Sequence, residues 1–226
     1  MEAHMTTTKP YKGIGMKGAT ARWYAANTKK SLADFQILAR RIADELPPGS
    51  SVLEVAPGPG YFAVELAKLG DYRITGLDIS ETFVQIARAN AAEAKVQVDF
   101  QRGNASRMPF QNSQFDYILC RAAFKNFTEP VAAIEEMYRV LKPGGRALII
   151  DLRRDASWES LNRQAKKMNL GPVNAVVTKL IFRFMLLKRA YTKEEFHAMV
   201  RKTKFRNAEI GEEDPIGLEV LMKKPA

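Results

Sequence analysis

A turn with two glycines is the feature of this sequence that most clearly could do chemistry. Gly58 and Gly60 follow a short apolar strand predicted over residues 51–56, and they open a helix predicted over residues 60–69. Because glycine lacks a side chain, the backbone N–H groups of such a turn can approach a ligand closely at the positive end of the helix. Asp78 ends the next predicted strand, and its carboxylate could accept hydrogen bonds from two ribose hydroxyls. The pattern indicates a site for a nucleoside cofactor.

The glycine turn alone is compatible with two cofactors. Residues 58–63 also fit the alanine-ended variant of the dinucleotide fingerprint Gly-x-Gly-x-x-Ala. An NAD-dependent oxidoreductase therefore stays open at this point. A turn without function is a further alternative, but the flanking strand, helix and acidic residue argue against it.

Strands and helices alternate around this turn. Further strands are predicted at residues 72–77, 96–100, 115–120 and 146–152, with Ser80 as the cap of one of the helices between them. This alternation is typical of an α/β fold, a mostly parallel sheet with helices on both faces. Two late strands, at residues 207–211 and 218–222, are separated by a short connection, which predicts an antiparallel hairpin at the sheet edge and brings the sheet to seven strands.

The N-terminal part of the chain, residues 1–48, is interpreted as two segments. Residues 1–5 are interpreted as an expression scar, since His4-Met5 is typical of a cloning junction and Met5 then becomes the natural start. Residues 6–48 are predicted to form an arm that runs to about Thr28, followed by a helix that Ser31 caps. Three aromatic residues of the arm are Tyr11, Trp23 and Tyr24.

The rest of the chain, residues 49–226, is predicted to form three segments. Residues 49–152 are predicted to be the cofactor-binding core, and residues 191–226 complete the sheet after a helix that opens with a capping box of Thr192 and Glu195. Between them, residues 153–190 are predicted to form two helices with a break at Gly171-Pro172.

Composition narrows the class of protein. With 226 residues, 46% hydrophobic and 27% charged, the chain is predicted to be soluble and globular. The single cysteine rules out an internal disulfide and zinc sites built on cysteine pairs, so no metal site is predicted and a reducing, cytoplasmic setting is expected. The apolar run at 173–187 is too short to cross a bilayer, but contact with a membrane surface stays open. The net charge of +10 permits nucleic acid as a partner, yet no RNA-binding signature favours it.

Three further segments match the motifs of one protein family. Residues 103–110 resemble the Gly-Asp-Ala-x-x-Leu-Pro-Phe segment of class I S-adenosylmethionine (SAM)-dependent methyltransferases, and residues 115–120 resemble the family's fourth strand. Residues 137–146 are similar to its helix-to-strand turn, with the core Arg-Val-Leu-Lys-Pro-Gly-Gly. Together with the glycine turn these blocks stand in the expected order. The sequence most resembles the small-molecule branch that includes ubiquinone- and menaquinone-biosynthesis methyltransferases, which implies a Rossmann-like sheet with a helical lid inserted after the fifth strand.

The resemblance implies roles for individual residues. The glycine turn would wrap the methionine part of SAM, and Glu54 would reach the amino group directly or through water. Asp78 would bind the ribose diol, and Ile79 would pack on the adenine. The other cofactor contacts that the resemblance implies are Tyr24, Ala56, Gly58, Gly60, Asn104, Ala105, Cys120 and Arg121.

Two of these positions depart from the family pattern. The family usually has glycine where this chain has Ala56, which predicts a slightly different first turn. It often has aspartate where this chain has Asn104, and an amide both donates and accepts hydrogen bonds, so contact with the adenine is expected to survive.

The implied reaction is in-line transfer of the SAM methyl group, with S-adenosylhomocysteine as the product. It depends on positioning and desolvation more than on acid–base groups. No catalytic residue is identified: Tyr11, Tyr24 and Asp155 are weak candidates for a base. His197 is expected to be a surface or packing residue, and Cys120 a packed core thiol.

The acceptor is predicted only by class. The Asn-Pro-Pro-Tyr motif of nucleobase methyltransferases is absent after the fourth strand, which argues against exocyclic nucleobase amines. The predicted lid carries large apolar residues with cationic edges at Arg153, Arg154 and Arg183, which favours a small, partly apolar acceptor with an anionic group. Ordinary packing of two helices is the alternative for this segment. An RNA- or protein-directed methyltransferase and a non-catalytic SAM-binding protein stay open as functions, and the oligomeric state is not predicted.

Overall fold

The computed structural model describes residues 11–12, 15–168, 171–213 and 215–226, and for residues 172–173 the backbone alone. The expression scar interpreted at residues 1–5 lies outside the described residues, as does the first part of the arm.

The described part of the N-terminal arm contains a helix that the sequence did not predict. Helix α1 (Gly18–Thr28) continues through a 3-10 turn (Lys29–Ser31) into α2 (Leu32–Ala43). Ser31 makes no capping hydrogen bond through its side chain, since the chain is already helical before it. The buried residues of α1 are alanines, Ala21 and Ala25, so the helix lacks the stripe of large apolar residues by which the sequence would reveal it.

Within the described residues, seven strands form one sheet in the spatial order β3-β2-β1-β4-β5-β7-β6. Strands β1 to β5 are parallel, and β7 lies antiparallel between β5 and β6. The predicted Rossmann-like, mostly parallel sheet with an antiparallel last strand is therefore confirmed. The strands are β1 (Ser51–Val55), β2 (Arg73–Asp78), β3 (Asp99–Arg102), β4 (Phe115–Arg121), β5 (Leu141–Leu152), β6 (Glu209–Glu213) and β7 (Gly217–Lys223).

Helices connect the strands, and two of them begin at the predicted caps Ser80 and Thr192. The Ser80 hydroxyl accepts a hydrogen bond from Phe83 N, and Thr192 and Glu195 form the full capping box. The remaining helices are α3 (Tyr61–Ala67), α4 (Glu81–Glu93), α5 (Pro130–Val140), α6 (Trp158–Lys167), α7 (Pro172–Ile181) and α8 (Lys193–Arg201), with a π-helical turn (Phe182–Leu186) and a 3-10 turn (Leu187–Arg189) after α7.

Apolar side chains cover both faces of the sheet. In β4, Ile118 and Cys120 belong to the cluster that also contains residues of α5 and α8, while Tyr117 and Leu119 belong to the cluster with residues of α2, α3 and α4. This division follows from the two-residue alternation of side chains along a strand. Burial on both faces is what a parallel sheet requires.

A smaller cluster of apolar side chains attaches residues 153–190 to the rest of the chain. Leu161 of α6 and Leu187 are buried there with Ala156 and Ile216. Most of the large apolar side chains of α7 and the following π-helical turn lie outside this cluster and are exposed. None of the helices in the described part of the chain is long and apolar enough to cross a membrane.

Candidate functional site

The carboxyl ends of the parallel strands meet at one edge of the sheet. Strand β1 has β2 on one side and β4 on the other, so the strand order reverses beside it. In open α/β sheets the crevice at such a reversal is where ligands bind. The glycine turn follows β1 directly, which places it at this crevice.

Three residues of the glycine turn have backbone angles in the left-handed region. Ala56, Gly58 and Gly60 have φ angles of 56°, 56° and 76°. Ala56 N donates to Leu77 O at 2.8 Å, which ties the start of the turn to the end of β2. An alanine in this conformation costs about 1 kcal/mol. The turn therefore forms although Ala56 stands where the resembling family has glycine.

The two glycines are required for different reasons. A Cβ on Gly60 would lie 2.6 Å from the Phe100 ring and 2.9 Å from the Ala87 methyl group, so Gly60 lets the turn pack on its neighbours. A Cβ on Gly58 would meet nothing within 4 Å. Gly58 thus presents bare backbone to open space, as a ligand-binding turn does.

Asp78 joins the glycine turn to the second strand. Its Oδ2 accepts from Gly58 N at 3.0 Å, and its Oδ1 accepts from Ser80 N at 2.8 Å. Burial raises the pKa of this carboxyl, while the backbone donors act in the opposite direction. Three backbone donors, of Gly58, Ser80 and Ile79, occupy part of the roughly four acceptor sites of a carboxylate, so the group could still accept from a ribose hydroxyl.

Glu54 is buried at the end of β1, directly before the turn. Its Oε2 accepts from Ala63 N at 3.2 Å, in the first turn of α3. Burial raises the pKa of this carboxyl to about 8, although the positive charge of Arg121 acts against the shift. The group is therefore mostly protonated at neutral pH, and a cation bound next to it would favour its ionised form.

The segment at 103–110 is held by helix α5. Met108 N donates to Glu136 Oε2 at 2.6 Å, and the Arg139 guanidinium donates to the carbonyl oxygens of Met108 and Phe110. Asn104 Oδ1 accepts from Ser106 N at 3.0 Å within its own turn, and Ala105 packs on the apolar cluster below. The sequence motif around Arg139 therefore fixes the loop that carries Asn104.

The residues predicted at the ends of β2 and β4 differ in exposure. Ile79 is half-buried directly after Asp78. Cys120 is fully buried, and burial raises the pKa of its thiol well above the ordinary value, so the thiol is packed rather than nucleophilic. The Arg121 guanidinium carbon lies 4.5 Å from the centre of the Phe35 ring.

The N-terminal residues cross the carboxyl edge of the sheet. Lys12 N donates to Asn126 O at 2.6 Å beyond β4, and Gly18 N donates to Thr82 Oγ1 at 3.3 Å at the start of α4. Tyr24 packs edge-on against Phe83, with ring centres 5.8 Å apart. Residues 15–28 with Lys12 thus lie over the loops that follow β2 and β4.

The weak candidates for a base lie on different elements. Tyr11 pairs with Phe127 beside the loop after β4, whereas Tyr24 is on α1. Asp155 is exposed, 3.9 Å from Arg153. His197 is half-buried on α8. These contacts do not single out one of them as a base.

A buried ion pair at this edge was missed by sequence reasoning. Lys125 Nζ lies 2.8 Å from Asp151 Oδ1 and also donates to Ala122 O. Lys125 N and Leu152 N donate to the same carboxylate, so the pair ties the loop after β4 to the end of β5. The available signal was Asp151 directly after two isoleucines, a carboxylate in a run that otherwise reads as buried strand. No group of three or more histidine, cysteine, aspartate or glutamate side chains in the described residues could hold a metal ion.

Comparison with known proteins supports a methyltransferase domain. Residues 53–149 match a family model described as a methyltransferase domain. This match confirms the predicted resemblance to class I SAM-dependent methyltransferases over the segment that carries the site.

The matched relatives and structures extend this comparison. Demethylmenaquinone methyltransferase from Deinococcus radiodurans is 36% identical over 107 residues, which cover 47% of this chain and 44% of the relative. The chain thus matches just under half of the length of that protein. A protein from Methanococcus maripaludis has a TM-score of 0.72 at 20% identity, over 95% of this chain and 96% of that one. A SAM-dependent methyltransferase from Aquifex aeolicus has a TM-score of 0.61 at 19% identity, over 82% and 88%. At these identities the structures establish a shared fold.

The two glycines are expected to respond differently to leucine. Gly58→Leu should lower the free energy of unfolding by about 1 kcal/mol, because it adds only the left-handed strain. Gly60→Leu should cost about 3 kcal/mol or more, because it adds the clash with Phe100. Urea denaturation measures both values. Gly144→Leu is the matched control, since Gly144 has a φ of 77° and its Cβ would also meet nothing within 4 Å. Equal losses at Gly58 and Gly60 would contradict this division.

Lys125→Met is expected to destabilise the protein by about 3 kcal/mol, because it leaves the buried Asp151 carboxylate without its cation. The control is Lys142→Met, which removes the cation from the partly exposed pair with Asp116. That change should cost less than about 1 kcal/mol. Chemical denaturation of both variants measures the difference, and a similar small loss in both would show that the buried pair does not hold the loop.

Proposed function

We propose that this chain is a SAM-dependent methyltransferase that transfers the methyl group to a small, partly apolar acceptor. The observation that carries the proposal is the buried Asp78 carboxylate, held by Gly58 N–H and Ser80 N–H beside a turn that faces open space. A ribose diol needs such an acceptor, and the methionine end of the cofactor needs such a turn. The methyltransferase-domain match and the named relatives support the same function.

The residues present fit SAM and its product S-adenosylhomocysteine. The bare backbone at Gly58 leaves room that a side chain would fill. The buried Glu54 carboxyl, with its pKa near 8, is suited to a ligand that carries an ammonium group, because the ligand's charge offsets the cost of ionising it. In this proposal Ile79, Asn104 and Ala105 line the adenine side, and the backbone at Cys120 and Arg121 lines the methionine side.

When bound, SAM supplies a methyl group that is already activated by its sulfonium. The chain has to hold the cofactor and the acceptor in line and exclude water. Asp78 and the glycine turn fix the cofactor at one end of the crevice. Helix α1, whose Tyr24 packs against Phe83 in the first turn of α4, would cover one side of the bound cofactor. Methyl transfer to a quinol oxygen or ring carbon releases one proton, and no base is assigned to take it because the contacts of the candidate side chains do not single one out.

The acceptor class is also part of the proposal. The Deinococcus radiodurans relative is named for a quinone, and a quinol-like ring with a polar edge fits the expectation of a partly apolar acceptor. The predicted cationic edges are engaged otherwise: Arg153 pairs with Glu212, Arg154 pairs with Glu195, and Arg183 lies over the Trp158 ring. An anionic group on the acceptor therefore has less support than its apolar character. We place the reaction in the cytoplasm, where the Cys120 thiol stays reduced.

Asp78→Asn is expected to weaken S-adenosylhomocysteine binding by about ten- to hundredfold, since hydrogen bonds to a charged acceptor are the strong ones. Isothermal titration calorimetry measures the affinity. Asp116→Asn is the control, because Asp116 also accepts from a backbone N–H, that of Ser51, but at the opposite edge of the sheet. Binding of NADH in place of S-adenosylhomocysteine would favour an oxidoreductase and would contradict the proposal.

Affinity for S-adenosylhomocysteine should rise with pH between about 6 and 8, by up to about tenfold per pH unit. The sign follows from Glu54: with its pKa near 8 in the free protein, the carboxyl must lose a proton to pair with the ligand's ammonium group. Glu54→Gln should flatten the profile, and calorimetry across this range measures both proteins. An unchanged slope in the variant would separate Glu54 from the ligand.

Catalysis is tested by incubating the protein with SAM and a panel of hydroxylated quinols and other small metabolites. We expect release of S-adenosylhomocysteine with at least one quinol-type acceptor, measured by mass spectrometry. Gly58→Leu should abolish release and Gly144→Leu should preserve it. Tight cofactor binding without turnover on any acceptor would instead favour the non-catalytic SAM-binding alternative.

A further inference from the structure

The exposed side of α7 and the π-helical turn after it is apolar. Six large side chains, 43% to 64% exposed, repeat at positions i, i+1, i+4, i+5, i+8 and i+9. This spacing keeps them together along one side of the helix. The residues of this apolar face are Val176, Val177, Leu180, Ile181, Phe184 and Met185.

The apolar face is left exposed because other side chains of the same segment pack on the protein. Leu187 and Leu161 are buried against Ala156 and Ile216, and Phe182 packs on that cluster. The segment therefore uses other residues to attach to the protein. Soluble monomers rarely expose contiguous apolar patches of this kind unless they bind something.

Cations stand next to the apolar face. A cavity of about 520 Å³ is lined by Lys12, Arg154, Lys188 and Arg189, together with Tyr191 and the face residues Phe184 and Met185. On its other side, Trp158 is half-exposed and the Arg183 guanidinium lies 5.9 Å from the centre of its ring. Apolar side chains with tryptophan and flanking basic residues are what a helix lying in a membrane interface presents.

We propose that the apolar face docks on an anionic phospholipid bilayer, with lipid phosphates held by Lys188 and Arg189 of the cavity. Charge complementarity selects this occupant over a second copy of the chain. In a twofold dimer through this face, the same cations would come close to their own copies, in a protein with a net charge of +10. A bilayer offers the opposite charge and an apolar layer beneath it.

Docking would bring the site to a lipid-soluble acceptor, and this part rests on the proposed methyltransferase function. The binding itself does not depend on it. Vesicle binding can be measured without any cofactor, so a failure of docking and a failure of the proposed function are distinguishable.

The test is cosedimentation of the full chain with vesicles at low salt, comparing pure phosphatidylcholine with a mixture that contains about one third phosphatidylglycerol. We expect binding to the anionic vesicles that is at least about tenfold tighter and that falls as salt is added. Phe184→Ser should lower the binding strongly. Ile37→Ser is the matched control, because Ile37 is 65% exposed on α2, close to the 64% of Phe184.

The cationic contribution is tested by the double change Lys188→Gln and Arg189→Gln, which should reduce anionic-vesicle binding by about tenfold or more. Its control is Arg201→Gln with Lys202→Gln, in a separate basic cluster that lines a different cavity. Circular dichroism and urea denaturation check that the variants remain folded. Equal losses from the two double changes would reveal unspecific attraction by net charge and overturn the proposal. Absence of vesicle binding, or a dimer that Phe184→Ser dissociates, would overturn it as well.

Discussion

The Asp78 carboxylate holds the candidate site together. It accepts from Gly58 N–H in the turn after β1 and from Ser80 N–H at the start of α4, so one buried group fixes two loops that belong to adjacent strands. Its position depends on the register in which β2 pairs with β1 and β3. Apolar clusters pack on both faces of the sheet, and such packing supports the loops that carry the site.

Around this carboxylate, burial and charge work against each other. Removing Glu54 from water raises the pKa of its carboxyl, so the free site keeps a proton that a cationic ligand would displace. Lys125 and Asp151 are also removed from water, but each has the other as its partner and both have backbone contacts. The first arrangement suits a group that acts when ligand binds, and the second suits a group that only holds a loop.

The sequence predicts most of the sheet because its strands are short apolar runs between recognisable turns. The sequence predicts the third strand at residues 96–100, whereas the structure has it at Asp99–Arg102. Pairing with Thr75 to Asp78 sets these bounds, and the apolar residues Val96 and Val98 lie before the strand. The fifth strand starts earlier than predicted, at Leu141, because β4 pairs with it there despite the glycines that follow. Helix α1 is not predicted from the sequence because the residues that it buries are alanines. The ion pair of Lys125 and Asp151 is not predicted because these residues are 26 positions apart in the chain and only the fold brings them together. The division into core, lid and C-terminal segment, and the individual cofactor contacts, stay predictions.

We expect the crevice beside β1 to hold SAM through Asp78 and the glycine turn. A crystal structure of the protein with S-adenosylhomocysteine is the decisive measurement. Both ribose hydroxyls should lie within hydrogen-bond distance of the Asp78 carboxylate, and the methionine part should lie against the backbone at Gly58. A ligand bound elsewhere, or bound at this edge with its ribose away from Asp78, would contradict this expectation.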